Sequence, residues 1–185
     1  MQYFDELITQ EIERVYILKD IDDVTTKDFA EIIYKINRED EINARKYKDF
    51  VAEPIKLIVS SFGGSVYDGL ALIAAMKESN AEIHTYAHGM VMSMGVPIFL
   101  YGDKRFADEF ATFMIHDVSS GSFGTIEQIE EDVAEGKRLR NVINEIIVKR
   151  TKIKKTELNA IIKTKSDWYI PASNAIQFGL CSAIT

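Results

Sequence analysis

Segments rich in β-branched and aromatic residues alternate with segments of helical periodicity, and this order constrains the fold more than any other feature. The predicted strands are 14–18, 55–59, 83–88 and 110–116. Between them, apolar residues at helical spacing mark two helices, at Phe29, Ile32, Ile33 and Ile36, and at Val66, Leu70, Ile73 and Ala74. Such alternation favours parallel strands joined by crossover helices, and it predicts an α/β fold with a parallel β-sheet core.

The boundaries of these elements follow from local signals. Thr25, with Asp28 three residues on, is typical of a capping pair that opens the first helix. The charged stretch 37–54 predicts an exposed extension of that helix followed by a loop. Because no repeat or linker rich in Gly, Pro or Ser interrupts residues 1–185, we predict a single domain.

A long helix is predicted from about Thr125 to Arg150. Its apolar residues form one face before Gly136 (Ile126, Ile129, Val133) and another after it (Leu139, Val142, Ile143, Ile146, Ile147). Two interpretations stay open: packing against another subunit as well as the chain's own core, or core packing alone. Acidic residues precede basic ones along this helix, which is typical of a solvated helix with sorted charge, and an anion site is the alternative.

Composition excludes several classes of function. The net charge of −7 argues against a nucleic-acid partner. No run of eighteen apolar residues predicts a membrane span, no signal peptide is recognisable, and the single cysteine, Cys181, fits a reducing compartment and a buried position. We therefore expect a cytoplasmic protein with no membrane association.

Ser93 lies within Gly89-Met90-Val91-Met92-Ser93-Met94-Gly95, between a predicted strand and an apolar helix. A serine at such a turn is exposed at the edge of the sheet, as a nucleophile requires. Pro97 is compatible with this helix only within the first turn, so the helix should begin between Ser93 and Val96. A helix-capping serine is the structural alternative for this residue alone.

Gly63 and Gly64 follow a predicted buried strand directly. Two glycines there permit a backbone that aims N–H groups into a cleft, where they stabilise a developing oxyanion. A simple tight turn is the alternative. A phosphate-binding loop is disfavoured because no Gly-x-x-x-x-Gly-Lys-Ser/Thr pattern follows.

His116 ends the predicted strand at 110–116, a position that suits a general base acting on a serine hydroxyl. Asp117 is unsuited to orient it, because adjacent strand residues point to opposite faces. The third member should come from elsewhere in the sequence. His84 and His88 share one face of a strand but have no accompanying carboxylate, so we predict no metal site and no cofactor.

These residues resemble the Clp peptidase proteolytic subunits over nearly the whole chain, from about Phe4 to Ile184. The resemblance is carried by four blocks in the family's order: Ser-Phe-Gly-Gly-Ser-Val at 61–66, Met-Ser-Met-Gly at 92–95, Phe-Met-Ile-His at 113–116, and the segment 167–180 that begins Asp-Trp-Tyr-Ile-Pro.

The resemblance implies a crotonase-like fold with a protruding handle helix in the region 117–150. It also implies a Ser-His-Asp triad of Ser93, His116 and Asp167, with an oxyanion hole at the backbone N–H groups of Gly64 and Met94. The expected activity is that of an ATP-dependent-type serine endopeptidase that cleaves peptides and unfolded proteins through an acyl-enzyme. The family assembles as two stacked heptameric rings around its active sites, so a homo-oligomer is expected.

Several departures from the family pattern weaken the expectation of an AAA+ unfoldase partner. Phe62 replaces a proline, Glu78 stands where a docking-pocket residue is aromatic although Phe106 matches another, and Ser166 replaces an arginine before Asp167. The family's N-terminal axial hairpin would precede Phe4 and is expected to be missing. The segment 37–54 has the character of a charged insertion. The alternatives are a non-catalytic or unfoldase-independent ring subunit or scaffold, and an acyl-CoA enzyme of the wider crotonase group.

Overall fold

A computed structural model describes residues 13–119, 121–164 and 167–185. The strands are β1 (Val15–Ile21), β2 (Ile55–Gly64), β3 (Ile83–Met92), β4 (Lys104–Ala107), β5 (Thr112–His116), β6 (Asp167–Pro171) and β7 (Ala183–Ile184). The helices are α1 (Asp23–Lys46), α2 (Val66–Lys77), α3 (Gly95–Leu100), α4 (Ile126–Arg150), α5 (Lys155–Thr164) and α6 (Ala172–Phe178). Two of the expectations above, the hairpin before Phe4 and the effect of Ser166, lie outside the described residues.

The strands form one sheet in the order β1-β2-β3-β4-β7, and all of these neighbours run parallel. β5 pairs in parallel with β3, and β6 pairs antiparallel with β5. The predicted α/β class with a parallel core is therefore confirmed. The sequence patterns did not predict β4, α5 or the antiparallel β5–β6 pair.

The first helix begins earlier than its predicted capping pair. Asp22 is the N-cap, and its carboxylate accepts a hydrogen bond from Thr25 N at 2.8 Å, while Asp22 N donates to the Thr25 hydroxyl. The prediction of Thr25 as the cap is wrong, because Thr25 is the third helical residue of a capping box opened by Asp22. Of the predicted stripe, Phe29, Ile33 and Ile36 are fully buried, and Ile32 is partly buried against the same core.

The buried face of α2 also differs from the prediction. Gly69, Leu72, Ile73 and Met76 are buried, whereas Ala74 is exposed. The buried face of α2 is therefore rotated about the helix axis relative to the predicted one. Gly69 makes this possible, because a Cβ at this position would lie 2.4 Å from the Met94 side chain. Helix α2 therefore packs closely over the turn that contains Met94.

Strand β3 changes partners along its length, and this change positions the site. Residues 84–87 pair with β4, and residues 90–92 pair with β5. Between the two stretches, Gly89 has φ +66°, a conformation that favours glycine. The second half of β3 therefore carries the chain to Ser93 beside the end of β5.

The long helix α4 has two parts with different surroundings. Leu139, Ile146 and Ile147 are buried against the core, whereas residues 126–134 are all exposed. Ile126, Ile129 and Val133 thus form an apolar face that is largely exposed among the described residues. The prediction of a helix over 125–150 is confirmed, with Thr125 as its N-cap.

Two expectations from composition can be compared with the structure. None of the helices in the described ranges is long and apolar enough to span a membrane. Cys181 is buried, as predicted, and burial raises the pKa of its thiol.

Candidate active site

Ser93 sits on a turn between β3 and α3 with an unusual backbone. Its φ of +52° is the only positive value among the described non-glycine residues. Such a conformation costs about 1–3 kcal/mol and persists only where the surroundings hold it. Ser93 N donates to Met114 O at 2.8 Å, and Val96 N donates to Ser93 O at 3.0 Å. These two hydrogen bonds hold the backbone of the turn between β3 and α3, as in a nucleophile elbow.

The structure brings Ser93 and His116 together. His116 Nε2 lies 2.7 Å from Ser93 Oγ, within hydrogen-bonding distance. The sheet accounts for this contact. Met92 on β3 pairs with Met114 on β5, Ser93 directly follows Met92, and His116 comes two residues after Met114. With Nε2 unprotonated, the ring can accept the hydroxyl proton while Oγ attacks an electrophile.

Asp167 starts β6 and is the cross-strand partner of His116. Residues directly opposite in an antiparallel pair project from the same face of the sheet, about 4.5–5.5 Å apart at Cβ. The Asp167 side chain is exposed, and among the described residues no hydrogen bond joins it to His116. The register therefore sets Asp167 opposite His116 on the neighbouring strand, and no hydrogen bond joins their side chains in the described ranges.

Asp117 follows His116 but is engaged elsewhere. Its carboxylate accepts a hydrogen bond from Val118 N at 2.8 Å, and its second oxygen lies 3.5 Å from Arg140 Nη1. Neither contact orients the imidazole. This agrees with the prediction that the third member comes from elsewhere.

Gly63 is required for the close approach of β2 to Ser93. Its φ is +108°, and a Cβ at this position would lie 2.6 Å from Ser93 Cβ and 3.1 Å from Ser93 Oγ. Gly64 has φ +154°, and a Cβ there would lie 2.2 Å from Ile21 O. Neither position accepts a side chain without displacing the turn or its neighbour.

Met94 N–H is the second predicted oxyanion donor. Met94 is the N-cap of α3, a helix that is buried throughout and has Pro97 in its first turn. Within the described residues, this N–H donates to no main-chain carbonyl. It remains available beside Ser93, near the end of the helix where partial positive charge accumulates.

A cavity of about 70 Å³ adjoins the Ser93–His116 pair. Gly64 and Met94 line it near the serine, Asp117 and Ser119 contribute polar groups, and the remaining walls are apolar (Val66, Ile115, Val118, Ile143, Ile147). The cavity therefore combines a nucleophile, a base and candidate N–H donors with space for an apolar group.

The two strand histidines lie apart from this cavity. The prediction that no carboxylate accompanies these histidines is wrong for His84, because its Nε2 lies 2.8 Å from a Glu82 carboxylate oxygen. The His84 ring also contacts Phe106 edge-on. No cluster of three or more His, Cys, Asp or Glu residues with the geometry of a metal site occurs in the described ranges.

Sequence reasoning missed the residues that shape the cavity. Val66, Ile143 and Ile147 were assigned only to helix faces. Their place in the wall of the cavity depends on how α2 and α4 pack in the folded chain. A helical pattern identifies an apolar face, but it does not identify what that face covers.

Comparisons with known proteins agree with this geometry. The family model described as Clp protease matches residues 13–185. The chain is 30% identical over 134 residues to an ATP-dependent Clp protease proteolytic subunit of Deinococcus radiodurans, covering 71% of this chain and 65% of that protein. It is 30% identical over 135 residues to ATP-dependent Clp protease proteolytic subunit 2 of Treponema pallidum, covering 71% of this chain and 66% of that protein. The matched region thus spans slightly under two thirds of each relative's length.

Proposed function

This chain belongs to the Clp protease family, and from that premise we propose that it is a serine endopeptidase with Ser93 as its nucleophile. The observation that carries the proposal is the 2.7 Å separation of Ser93 Oγ and His116 Nε2, at a serine held with φ +52°. A capping serine needs neither feature, whereas a nucleophile activated by a general base needs both.

The proposed reaction begins when Ser93 Oγ attacks the carbonyl carbon of a peptide bond and its proton passes to His116 Nε2. The tetrahedral intermediate carries its negative charge on the former carbonyl oxygen, facing the N–H groups of Gly64 and Met94. Collapse of the intermediate breaks the C–N bond, and His116 returns the proton to the departing amine. Water then attacks the acyl-enzyme with His116 as base, which releases the acid product and free Ser93.

Asp167 is proposed as the third member of a triad. Its cross-strand register with His116 supports this role, since the pair projects from one face of the sheet. The carboxylate would hold the imidazole tautomer and stabilise its charged form.

The cavity beside Ser93 supports a preference for substrates with an apolar side chain before the cleaved bond. Five of its lining residues are aliphatic: Val66, Ile115, Val118, Ile143 and Ile147. Burying a side chain of Val or Leu size in such a cavity stabilises the complex by about 1.5–3 kcal/mol.

A homo-oligomeric chamber of two stacked heptamers is proposed for the assembled protein, together with a cytoplasmic location. The exposed apolar face of Ile126, Ile129 and Val133 on the protruding part of α4 supports self-association. The relatives' names describe ATP-dependent proteases, and we propose that the chamber degrades peptides and unfolded proteins. Glu78, however, accepts a hydrogen bond from Tyr34 at the surface, where the family pattern has an aromatic docking residue.

A non-catalytic ring subunit is the second candidate. It is favoured by one observation: no hydrogen bond joins Asp167 to His116 within the described residues. This candidate predicts an oligomer that binds peptides without turning them over.

Hydrolysis of an internally quenched apolar peptide tests the proposal. We expect turnover by the wild-type protein and a loss of about 10³-fold or more in kcat for both Ser93→Ala and His116→Ala. The double variant should lose no more than either single one, because the two groups act as a unit. Circular dichroism checks that each variant is folded, and unchanged turnover by folded Ser93→Ala would exclude the assignment.

A further inference from the structure

Asp117 places a carboxylate at the cavity that contains the Ser93–His116 pair. Among the described residues lining that cavity, it is the only acidic or basic one apart from His116. The other described lining residues are apolar or uncharged, so Asp117 is the residue of this lining that carries a negative charge.

The carboxylate is held in position but incompletely neutralised. One oxygen accepts the Val118 N–H at 2.8 Å, and the other lies 3.5 Å from Arg140 Nη1, at the outer limit of a hydrogen bond. The side chain of Asp117 is 45% exposed and that of Arg140 is 38% exposed. Lone pairs on the second oxygen therefore stay accessible to a ligand at the rim of the cavity.

We infer that Asp117 is a specificity-determining residue, which selects peptides with a basic side chain next to the apolar residue held in the cavity and disfavours acidic ones. Arg140 moderates this selection because its guanidinium competes for the same carboxylate oxygen. The inference rests on the proposed function, because it assigns a side-chain preference to the same site.

The expected size of this preference follows from the solvent exposure of the Asp117 carboxylate, which would form an ion pair with the basic side chain of the peptide. A solvent-exposed ion pair contributes about 0.2–1 kcal/mol. We therefore expect peptides with Lys at the favoured position to exceed their Glu counterparts by about 1.4- to 5-fold in kcat/KM. Because the interaction is electrostatic, the ratio should approach one near 1 M salt, where the Debye length is about 3 Å.

The experiment uses reporter peptides that keep the apolar residue before the cleaved bond and carry Lys, Gln or Glu at the position on either side of that residue. Asp117→Asn should abolish the Lys-over-Glu ratio, since its amide oxygen still accepts the Val118 N–H but carries no charge. Asp117→Glu should restore part of the ratio. Arg140→Gln should increase it, whereas Arg140→Lys and Lys149→Gln, a charge change elsewhere on α4, should leave it near the wild-type value.

Binding separates this inference from the proposed function. Affinities of the same peptides for Ser93→Ala protein, measured by fluorescence anisotropy, should show the same Lys preference and its loss in Asp117→Asn. Selective binding without any wild-type turnover would overturn the peptidase proposal and uphold the inference. Turnover with equal use of Lys and Glu peptides, or a preference that survives Asp117→Asn, would overturn the inference.

Discussion

The proposed reactivity of Ser93 depends on the backbone as much as on its hydroxyl. The strand before it, the helix after it and the carbonyl of Met114 together hold φ at +52°. Gly63 adds to this by bringing β2 to a distance that no side chain would permit. The site is therefore built from three separate segments of the chain, and each contributes main-chain geometry.

The role of Asp167 is the first prediction at this scale. Replacement by Ala should lower kcat by about 10²- to 10⁴-fold with a smaller effect on KM, because the carboxylate stabilises the imidazolium that forms in the transition state. Steady-state kinetics on an uncharged apolar peptide measures this loss. Asp117→Asn is the matched control for a lost carboxylate beside His116, and its loss in kcat should be much smaller. A larger loss in Asp117→Asn than in Asp167→Ala would contradict the triad.

Part of the site could be predicted from the sequence, because some of its constraints are local. Gly63-Gly64 after a strand, and Ser93 before a buried helix containing Pro97, are patterns of adjacent residues. Asp167 was identified only through family resemblance, since it depends on the β5–β6 register. Arg140 and the apolar wall depend on helix packing, which the periodicity of α4 does not encode.

At the scale of single elements, α4 is the most informative. Its protruding part meets the body of the molecule at Glu135, next to Gly136, where an added Cβ would meet nothing. Tyr67 OH on α2 donates to Glu135 at 2.5 Å, and Arg138 donates to the same carboxylate through two nitrogens at 2.7 Å each. This cluster ties α4 to the first turn of α2, just after the Gly64 loop.

The Glu135 carboxylate gives the second prediction. Hydrogen bonds from Arg138 and then Tyr67 lower its pKa from 4.5 to about 2. Because the folded-state pKa is depressed, the stability that it contributes is fully present above about pH 4.5 and is lost as the pH falls through about 2. Carbon-13 NMR titration of the Glu135 carboxyl measures this directly.

Two variants separate the contributions of Arg138 and Tyr67 to the lowered pKa of Glu135. Arg138→Gln should raise the pKa of Glu135 more than Tyr67→Phe does, since Arg138 makes the larger contribution. A pKa of wild-type Glu135 near 4.5, its ordinary value, would show that the hydrogen bonds from Arg138 and Tyr67 do not form in solution.

Helices with many regularly spaced apolar residues were predicted correctly. Helix ends and short strands were not, because capping and strand pairing determine them. The stripe of α1 and the extent of α4 follow from many residues each. The N-terminus of α1 was misplaced by three residues, because both Asp22 and Thr25 are capping types and a capping box uses both. The four-residue strand β4 is too short to show a pattern, and it is defined by its pairing with β3.

At the scale of the whole molecule, the uncovered surface of α4 is the main feature that one chain leaves unexplained. Ile126 is 73% exposed and Val133 is 47% exposed, on a part of the helix whose residues 126–134 are all exposed. Apolar surface of this kind is typical of interfaces between subunits. The proposed oligomer supplies its partner as another copy of the chain.

Self-association is the third prediction. Wild-type protein should sediment as an oligomer at micromolar concentration, and the double variant Ile129→Lys/Val133→Lys should shift it toward smaller species because two charges would enter the interface. Val51→Lys, at an apolar residue that is 82% exposed outside α4, is the matched control and should leave the distribution unchanged. A monomeric wild-type protein, or a double variant that sediments like wild type, would contradict this prediction.

The central claim is that Ser93 is an activated nucleophile, and covalent labelling tests it most directly. Wild-type protein treated with a fluorophosphonate probe should gain one adduct per chain, mapped to Ser93 by peptide mass spectrometry. Labelling should be lost in Ser93→Ala and retained in Ser119→Ala, the other serine that lines the cavity. Absence of an adduct in folded wild-type protein, or labelling that persists in Ser93→Ala, would contradict the account.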